Sequence, residues 1–384
     1  MVWLGLMLLA GIAEARSTRL ADAPGWVVDL WGTDDGLPLD HVTSVARSGD
    51  GRIWAGTFDG VVQFDGVAVV ADRRATHPCL PSNRMPLVAA DPSGLLWAVS
   101  ETGVAMYRDA HAWSPAQHPD GMTADSPFGY PGRVLRAGDD VWIAQPGRLL
   151  PIDGASSRWV ATGDAASPTG VAPDPRGGRW FSVANDLLRH QAPGEARLDV
   201  DPSRLWVTAL TADALGAVWA LADGDLLRWG GDDWMTVPLP VEDACVMAEV
   251  GDGVVVGGRA GWAKATSSGV LALPWDATAP CGDLAATGVV RSFDGVVWIG
   301  GPEGLYRDGE RLVRGGPPIA DIVSDGSDGV WFGTTGAGLG RIRRALVEAR
   351  ALDEGNVHGV VVGAAGEVWS APSQDAPHLL RLRG

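Results

Sequence analysis

The chain has 384 residues, with 53 Gly, 26 Pro, 18 Trp and three Cys, and 30 Lys and Arg against 47 Asp and Glu give a formal net charge of −17. An apolar content of 46% rules out a disordered chain, the acidic balance argues against a nucleic-acid binder and more weakly against anionic lipid, and three Cys cannot build a disulfide-dense scaffold. The 18 Trp outnumber the 6 Phe and 3 Tyr together, the mark of one position that recurs.

Residues 1–15 are expected to form a signal peptide. Val2 to Ala13 is an apolar run of the right length for its core and too short to span a bilayer. Ala13-Glu14-Ala15 fits the small-x-small cleavage rule and makes Arg16 the first mature residue. No Lys or Arg precedes the run, which departs from the pattern, and the alternative is a buried N-terminal helix. No later stretch is apolar for ~18 residues, so the mature chain 16–384 is expected to be soluble, monomeric, and periplasmic or secreted. Trp26-Val-Val-Asp-Leu-Trp31 follows as an isolated strand.

From there the chain repeats. Short Gly/Asp-flanked strands carry Trp54, Trp97, Trp142, Trp180, Trp219, Val255 in place of Trp, Trp298, Trp331 and Trp369. Successive spacings are 43, 45, 38, 39, 36, 43, 33 and 38 residues, which makes nine units. Each unit reads as a Val/Ala-rich strand, a turn such as Asp91-Pro-Ser-Gly94, the Trp strand, a Gly turn, and two more strands. No helical period longer than about eight residues is present past the leader. The segment 341–351 is the one helix candidate and is better read as strand.

A four-stranded meander cannot bury both its faces alone. Radial stacking solves this, and the predicted fold is all-β: a single-ring β-propeller of four-stranded blades. The best count is nine blades, with eight as the alternative if one degenerate unit is flattened into a connection. The last unit runs out of chain after Leu379-Leu-Arg-Leu382, and the strand Trp26–Trp31 is expected to complete it and close the ring. The repeated Trp is expected to fill the wedge between sheets. The irregular Trp113, Trp159, Trp206, Trp229, Trp234, Trp262 and Trp275 are better placed as sugar platforms. Cys245 and Cys281 lie about one repeat apart and pair in an oxidising compartment, leaving Cys79; the alternative is three buried thiols.

Asp35-Gly-Leu-Pro-Leu-Asp-His-Val-Thr-Ser-Val45, Gly49-Asp-Gly-Arg-Ile-Trp54-Ala-Gly-Thr57 and Asp59-Gly-Val-Val-Gln-Phe-Asp-Gly66 resemble the two-component-regulator propeller repeat. Trp298-Ile-Gly-Gly-Pro-Glu-Gly-Leu-Tyr306 and Trp331-Phe-Gly-Thr334 resemble it as well. The resemblance implies an extracytoplasmic propeller, the sensor half of a hybrid histidine kinase, linked to carbohydrate recognition. The usual sensor has two seven-bladed rings, a β-sandwich, a membrane helix and a kinase. Their absence here leads us to expect a separate binder or a separate membrane signalling partner. The segment 331–342 also resembles the repeat of streptogramin lyases, which implies the competing enzyme reading, with His358 and Glu303 as candidates.

No His-x-His, His-Glu-x-x-His, Cys-x-x-Cys, Gly-x-Ser-x-Gly or phosphate-binding loop is present, so neither metal nor cofactor is expected and catalysis is left open. In a propeller, the loops leading into each blade and the loops after the Trp strand share the funnel face. That face is expected to hold the ligand-binding candidates Asp40, His41, Asn83, Arg84, Tyr130, Arg133, Asp186, Asp223 and Glu303. Carboxylates, Asn, Arg and Tyr suit a saccharide or similar hydroxyl-rich molecule. The third reading is a protein-interaction scaffold without a small-molecule site.

Overall fold

The computed structural model describes residues 16–17, 25–109, 112–117, 132–137, 140–161, 168–174, 177–183, 186–191, 195–196, 207–231, 233–281, 289–345, 359–362, 368–371 and 380–382. The expected signal peptide, 1–15, lies outside them.

The repeat grammar folds as antiparallel meanders. In blade 1 (42–72) the inner strand Val42–Arg47 pairs with the Trp strand Ile53–Thr57, then come Gly60–Phe64 and the outermost Val69–Asp72. Blades 2 (87–115), 3 (133–161), 4 (168–196), 5 (207–237) and 7 (289–314) repeat this plan, while blade 6 (242–273) has three strands. Inner strands of successive blades pack side by side. The last of them, Ile319–Ser324, returns to lie against Val42–Arg47, which makes one closed all-β ring.

The blade count and the closure differ from expectation. Neither nine equivalent blades nor eight with a flattened unit forms. Seven blades are wound from consecutive strands, and a composite sheet closes the ring. In that sheet Ile319–Ser324, Val330–Thr334 and Leu339–Arg344 are joined by Trp26–Trp31 and then by Arg16–Ser17. The N-terminal strand therefore completes the unit of Trp331, not that of Trp369. Residues 345–384 are a compact unit of their own, with the three-stranded sheet Gly359–Val362, Val368–Ala371 and Leu380–Leu382. The physical reason is a shared edge: every unit ending in its third strand offers the same open hydrogen-bonding edge, and side-chain fit decides which one is taken. Trp26 pairs with Arg344 and Trp31 with Leu339 across a six-residue register. Trp31 stacks on Trp331 at 5.2 Å and tilts on Phe64 of blade 1 at 4.8 Å, while Arg344 covers the Trp26 ring at 4.2 Å. Asp29, largely buried, takes Arg343 Nε at 3.2 Å.

The core lies between blades. One cluster joins Ala46, Trp54 and Val61 of blade 1 to Met85, Val88, Leu96 and Trp113 of the next, and another joins Val28 of the closing strand to Trp298 and Leu305 of blade 7. The repeated Trp is 0–6% exposed at 54, 97, 180, 219, 298 and 331, so it is wedge packing. Truncating one such side chain costs about 3–5 kcal/mol. Several irregular Trp do the same work. Trp113, Trp159 and Trp262 are buried, and Trp229 and Trp234 pack on Trp180, so none of these five is an open sugar platform. Trp262 restores the wedge at blade 6: it packs beside Val255 and donates its indole N–H to the Ala277 carbonyl. A Cβ on Gly257 would stand 2.6 Å from that ring, so the glycine makes room for it.

A second regularity lies on the inner strands. Thr43, Thr169, Thr208, Cys245 and Ala320 each sit in a register shift against the Trp strand. A bulge leaves one residue out of the ladder and aims its side chain at the neighbouring blade. Thr43 Oγ1 donates to the Pro86 carbonyl ahead of blade 2, and Thr169 Oγ1 donates to the Val207 carbonyl of blade 5 at 2.9 Å. At the same bulge of blade 6, Cys245 is joined to Cys281 by a disulfide with Cα atoms 5.5 Å apart. Cys79 is a free, exposed thiol.

Candidate functional site

Loops carry the chemistry on the funnel face, because strand side chains are committed to the wedges. At the seam of blades 1 and 2, three of them converge: the segment leading into Val42, the turn after Thr57, and the long loop 73–86. Phe58, in the turn, is 38% exposed, a large apolar ring left in solvent. The His41 ring meets it edge-on at 5.6 Å, and the Arg84 guanidinium lies 5.7 Å from its centroid. Arg84 Nη1 also donates to Glu101 Oε2 at 3.1 Å, and Ser82 Oγ donates to Glu101 Oε1 at 3.2 Å. Beside them the loop encloses an open depression of about 540 Å³, lined by Arg74, Ala75, Pro78, Pro81, Ser82 and Asn83. An apolar ring edged by a cation, a carboxylate and an imidazole presents stacking and hydrogen-bonding groups together.

Of the expected residues, His41 and Arg84 therefore meet, around a ring that the sequence reading did not single out. Asp40 and Asn83 are near them but spent on backbone. Asp40 Oδ1 accepts the Thr33 N–H at 2.7 Å, and its carbonyl accepts the Gly338 N–H at 2.8 Å, tying blade 1 to the closing sheet. Asn83 Oδ1 accepts the Arg74 N–H at 2.9 Å, and its Nδ2 donates to Asp59 Oδ1 at 3.3 Å. Arg133 starts the inner strand of blade 3, half-buried. Asp186 opens the strand Asp186–Gln191 of blade 4. Asp223 is exposed in the turn after the blade 5 Trp strand, at φ 52. Glu303 holds the equivalent turn of blade 7, where Oε2 accepts Tyr306 Oη at 3.2 Å and Thr278 Oγ1 at 3.3 Å and lies 3.6 Å from Arg311 Nη2. Burial first, and Glu303 with it, pushes the Tyr306 phenol up against the opposing pull of Arg311. Asp223 and Glu303 thus stand on blades 5 and 7, away from the Phe58 cluster. Tyr130, Phe128 and His358 lie outside the described residues. Among the described residues, no group of three or more His, Cys, Asp or Glu is placed to hold a metal.

The two-component regulator propeller model matches residues 36–59, which run from the Gly-Leu-Pro opening through the Trp54 strand to the turn holding Phe58. No curated protein matches the chain. Solved structures share the fold at low identity. A computationally designed protein, Ika8, aligns with TM-score 0.56 and 11% identity over 79% of this chain and 96% of its own. The extracellular domain of BT3049 from B. thetaiotaomicron, assigned to a hybrid two component system, aligns with TM-score 0.50 and 15% identity over 93% of this chain and 48% of its own. Our chain thus spans about half of that domain. Virginiamycin B lyase from Staphylococcus aureus aligns at TM-score 0.49 and 12% identity, covering 83% and 99%. No helix among the described residues is long and apolar enough to cross a membrane. The chain carries the two-component regulator propeller repeat at 36–59, in a propeller ring whose fold it shares with the extracellular domain of a two component system.

Proposed function

We propose that this chain is an exported sensor-type propeller that recognises a saccharide or similar hydroxyl-rich molecule at the seam of blades 1 and 2. The observation that carries the reading is the exposed Phe58 ring, flanked by His41 and Arg84. Sugar rings have apolar faces that lie on an aromatic ring and hydroxyl edges that bond to guanidinium and carboxylate, so this set suits them. The matched repeat supports the sensor part: it runs to residue 59 and so includes His41 and Phe58, while Arg84 comes from the loop that follows blade 1. The transmitter is proposed to be a separate membrane signalling protein.

The test is a thermal-shift screen of the protein from Arg16 against neutral and acidic oligosaccharides. A ligand at ~100 times its dissociation constant adds roughly 2.7 kcal/mol, a visible shift. Phe58→Ala removes a ring that lies outside the inter-blade wedges and is expected to abolish the shift while lowering the unliganded melting temperature far less than truncation of a wedge Trp. A shift that survives both Phe58→Ala and Arg84→Ala would place recognition elsewhere.

A further inference from the structure

The loop 73–86 between blades 1 and 2 is a basic stretch in an acidic chain. It carries Arg73, Arg74, His77 and Arg84 and no Asp or Glu, whereas the whole chain has a formal net charge of −17. The loop is also firmly built. Leu80 is buried in the cluster that holds Trp54 and Trp113, and Pro78 and Pro81 fix φ on either side of it. The N–H groups of Thr76 and His77 donate to the Arg73 carbonyl at 3.0 and 2.7 Å, and that of Leu80 donates to the His77 carbonyl at 3.0 Å. Both ends are fastened to the turn of Phe58. Arg73 Nε donates to the Asp59 carbonyl at 2.9 Å, the Gly60 N–H donates to the Asn83 carbonyl at 2.6 Å, and Asn83 Nδ2 donates to Asp59 Oδ1 at 3.3 Å. The depression of about 540 Å³ that the loop encloses is thus held in a fixed place beside that turn.

Asp59, Asp72 and Glu101 touch this loop, and all three are already paired. Asp59 Oδ2 lies 3.0 Å from Arg73 Nη2, and Glu101 Oε2 lies 3.1 Å from Arg84 Nη1. The buried Asp72 accepts Arg108 Nε at 3.0 Å and Trp113 Nε1 at 2.9 Å through one oxygen, and His77 Nδ1 is 3.6 Å from the other. Arg74 is left over. Its backbone N–H is bonded to Asn83 Oδ1, but its guanidinium makes no hydrogen bond or ion pair among the described residues. The side chain is exposed and lines the depression together with Ala75, Pro78, Pro81, Ser82 and Asn83, none of which is acidic. An exposed Arg on a flat surface calls for no explanation. On a concave wall without carboxylates, one residue's breadth from an aromatic cluster, it gives a positive charge to whatever fills the hollow.

We propose, resting on the reading of the Phe58 seam as a sugar site, that its ligand is an acidic saccharide: one ring lies on Phe58, and the carboxylate of a neighbouring uronate unit enters the depression and pairs with Arg74. The link between the two subsites is short in sequence and in bonding, because Asn83 lines the depression while Arg84, the next residue, lies 5.7 Å from the Phe58 centroid. The planar fork of a guanidinium matches the two oxygens of a carboxylate through paired hydrogen bonds. Arg73 and Arg84 are held by Asp59 and Glu101, so one guanidinium is free and a monoanionic group suits it. The depression is open, and water and salt screen the pair. Its role is to select acidic over neutral sugars, with the Phe58 ring supplying contact common to both.

The experiment is isothermal titration calorimetry of the full chain with trisaccharides of galacturonate, glucuronate, mannuronate and guluronate, each beside its uncharged methyl ester, and with maltotriose. The expected result is that at least one acid binds about tenfold tighter than its own ester, a preference that shrinks as NaCl is raised. Arg74→Gln is expected to bring acid and ester level while leaving the ester affinity and the melting temperature as in the parent, since the guanidinium holds nothing in the fold. Arg74→Lys keeps the charge without the fork and is expected to fall between. Phe58→Ala is expected to weaken acid and ester alike. Equal binding of acids and esters, lost in Phe58→Ala, would overturn this inference and leave the seam as a neutral-sugar site. An acid preference that survives Arg74→Gln would overturn it in the same way. Absence of binding to every probe, or binding indifferent to Phe58→Ala, would overturn the reading of the seam and this inference with it.

Discussion

The seam between blades 1 and 2 and the seam between blades 6 and 7 both start from a bulge on an inner strand. At the first, Thr43 reaches the Pro86 carbonyl, Ser44 Oγ donates to the same carbonyl at 2.9 Å, and the Val88 N–H donates to Ser44 Oγ at 2.8 Å. At the second, the bulged residue is Cys245 and the fastening is covalent. The packing around them differs in parallel. Blade 1 has four strands and its Trp54 in the wedge, while blade 6 has three strands and Val255 at that position. Hydrogen bonds made on folding replace bonds to water and contribute about 1 kcal/mol each, enough where packing is complete. A crosslink constrains the unfolded chain instead, and it stands where the blade is thinnest.

The contrast can be broken from either side. Trp262→Ala removes the substitute wedge of blade 6 and is expected to cost ~3–5 kcal/mol in chemical denaturation, with the loss unchanged when the disulfide is intact. A variant that loses less than ~1 kcal/mol would mean that Trp262 is not the replacement for the missing Trp. Cys281→Ser opens a loop of 36 residues, and chain entropy puts the expected loss at roughly 3–4 kcal/mol. Dithiothreitol should lower the melting temperature of the parent and leave that of Cys281→Ser alone. On the other seam, Ser44→Ala leaves the Val88 N–H without its acceptor in a buried place and is expected to cost ~1–3 kcal/mol, less than the loss of the crosslink.

The smallest effect belongs to an ionic fastening in the closing sheet. Arg341 Nη2 lies 2.9 Å from Asp325 Oδ2, and Ser327 donates its N–H to Oδ1 at 2.8 Å. Burial acts to raise the Asp325 pKa, but the bonds from Ser327 and Arg341 outweigh it and hold the carboxyl below its ordinary value. A lowered folded value means that the contribution is present above the unfolded pKa and fades as pH falls through the folded one. Asp325→Asn should therefore flatten the acid limb of stability below about pH 4 and change the neutral value least of the four variants. An acid limb unaffected by the substitution would shift the cause to another carboxylate.

The repeat period, the meander and the spare strand Trp26–Trp31 were legible in the chain because each is a local pattern. Which edge that strand takes was not, because Leu339–Arg344 and the strands of the Trp369 unit look alike until Trp31 meets Trp331 and Phe64. One regular signal went unread. Arg228 and Arg307 follow their Trp by nine residues and Arg341 by ten, and each guanidinium lies over the Trp ring across the strand pair. On the funnel face, residue type was a poor guide: Asp40 and Asn83 have the chemistry of a site but serve the backbone, whereas Phe58 looked like part of a motif.

The clasp also has a temporal meaning. Trp26–Trp31 is synthesised before any blade, yet its partner Leu339–Arg344 is among the last parts of the ring to be made. Blades 1 to 7 can form in order behind it, each from adjacent strands, but the first strand must wait with an unsatisfied edge while more than three hundred residues follow. Contacts of such long sequence separation form slowly, and exposed strand edges pair readily with the wrong partner. Ring completion is therefore a single late event, and any factor that shields Trp26 and Trp31 during that interval governs how much of the protein reaches its native state.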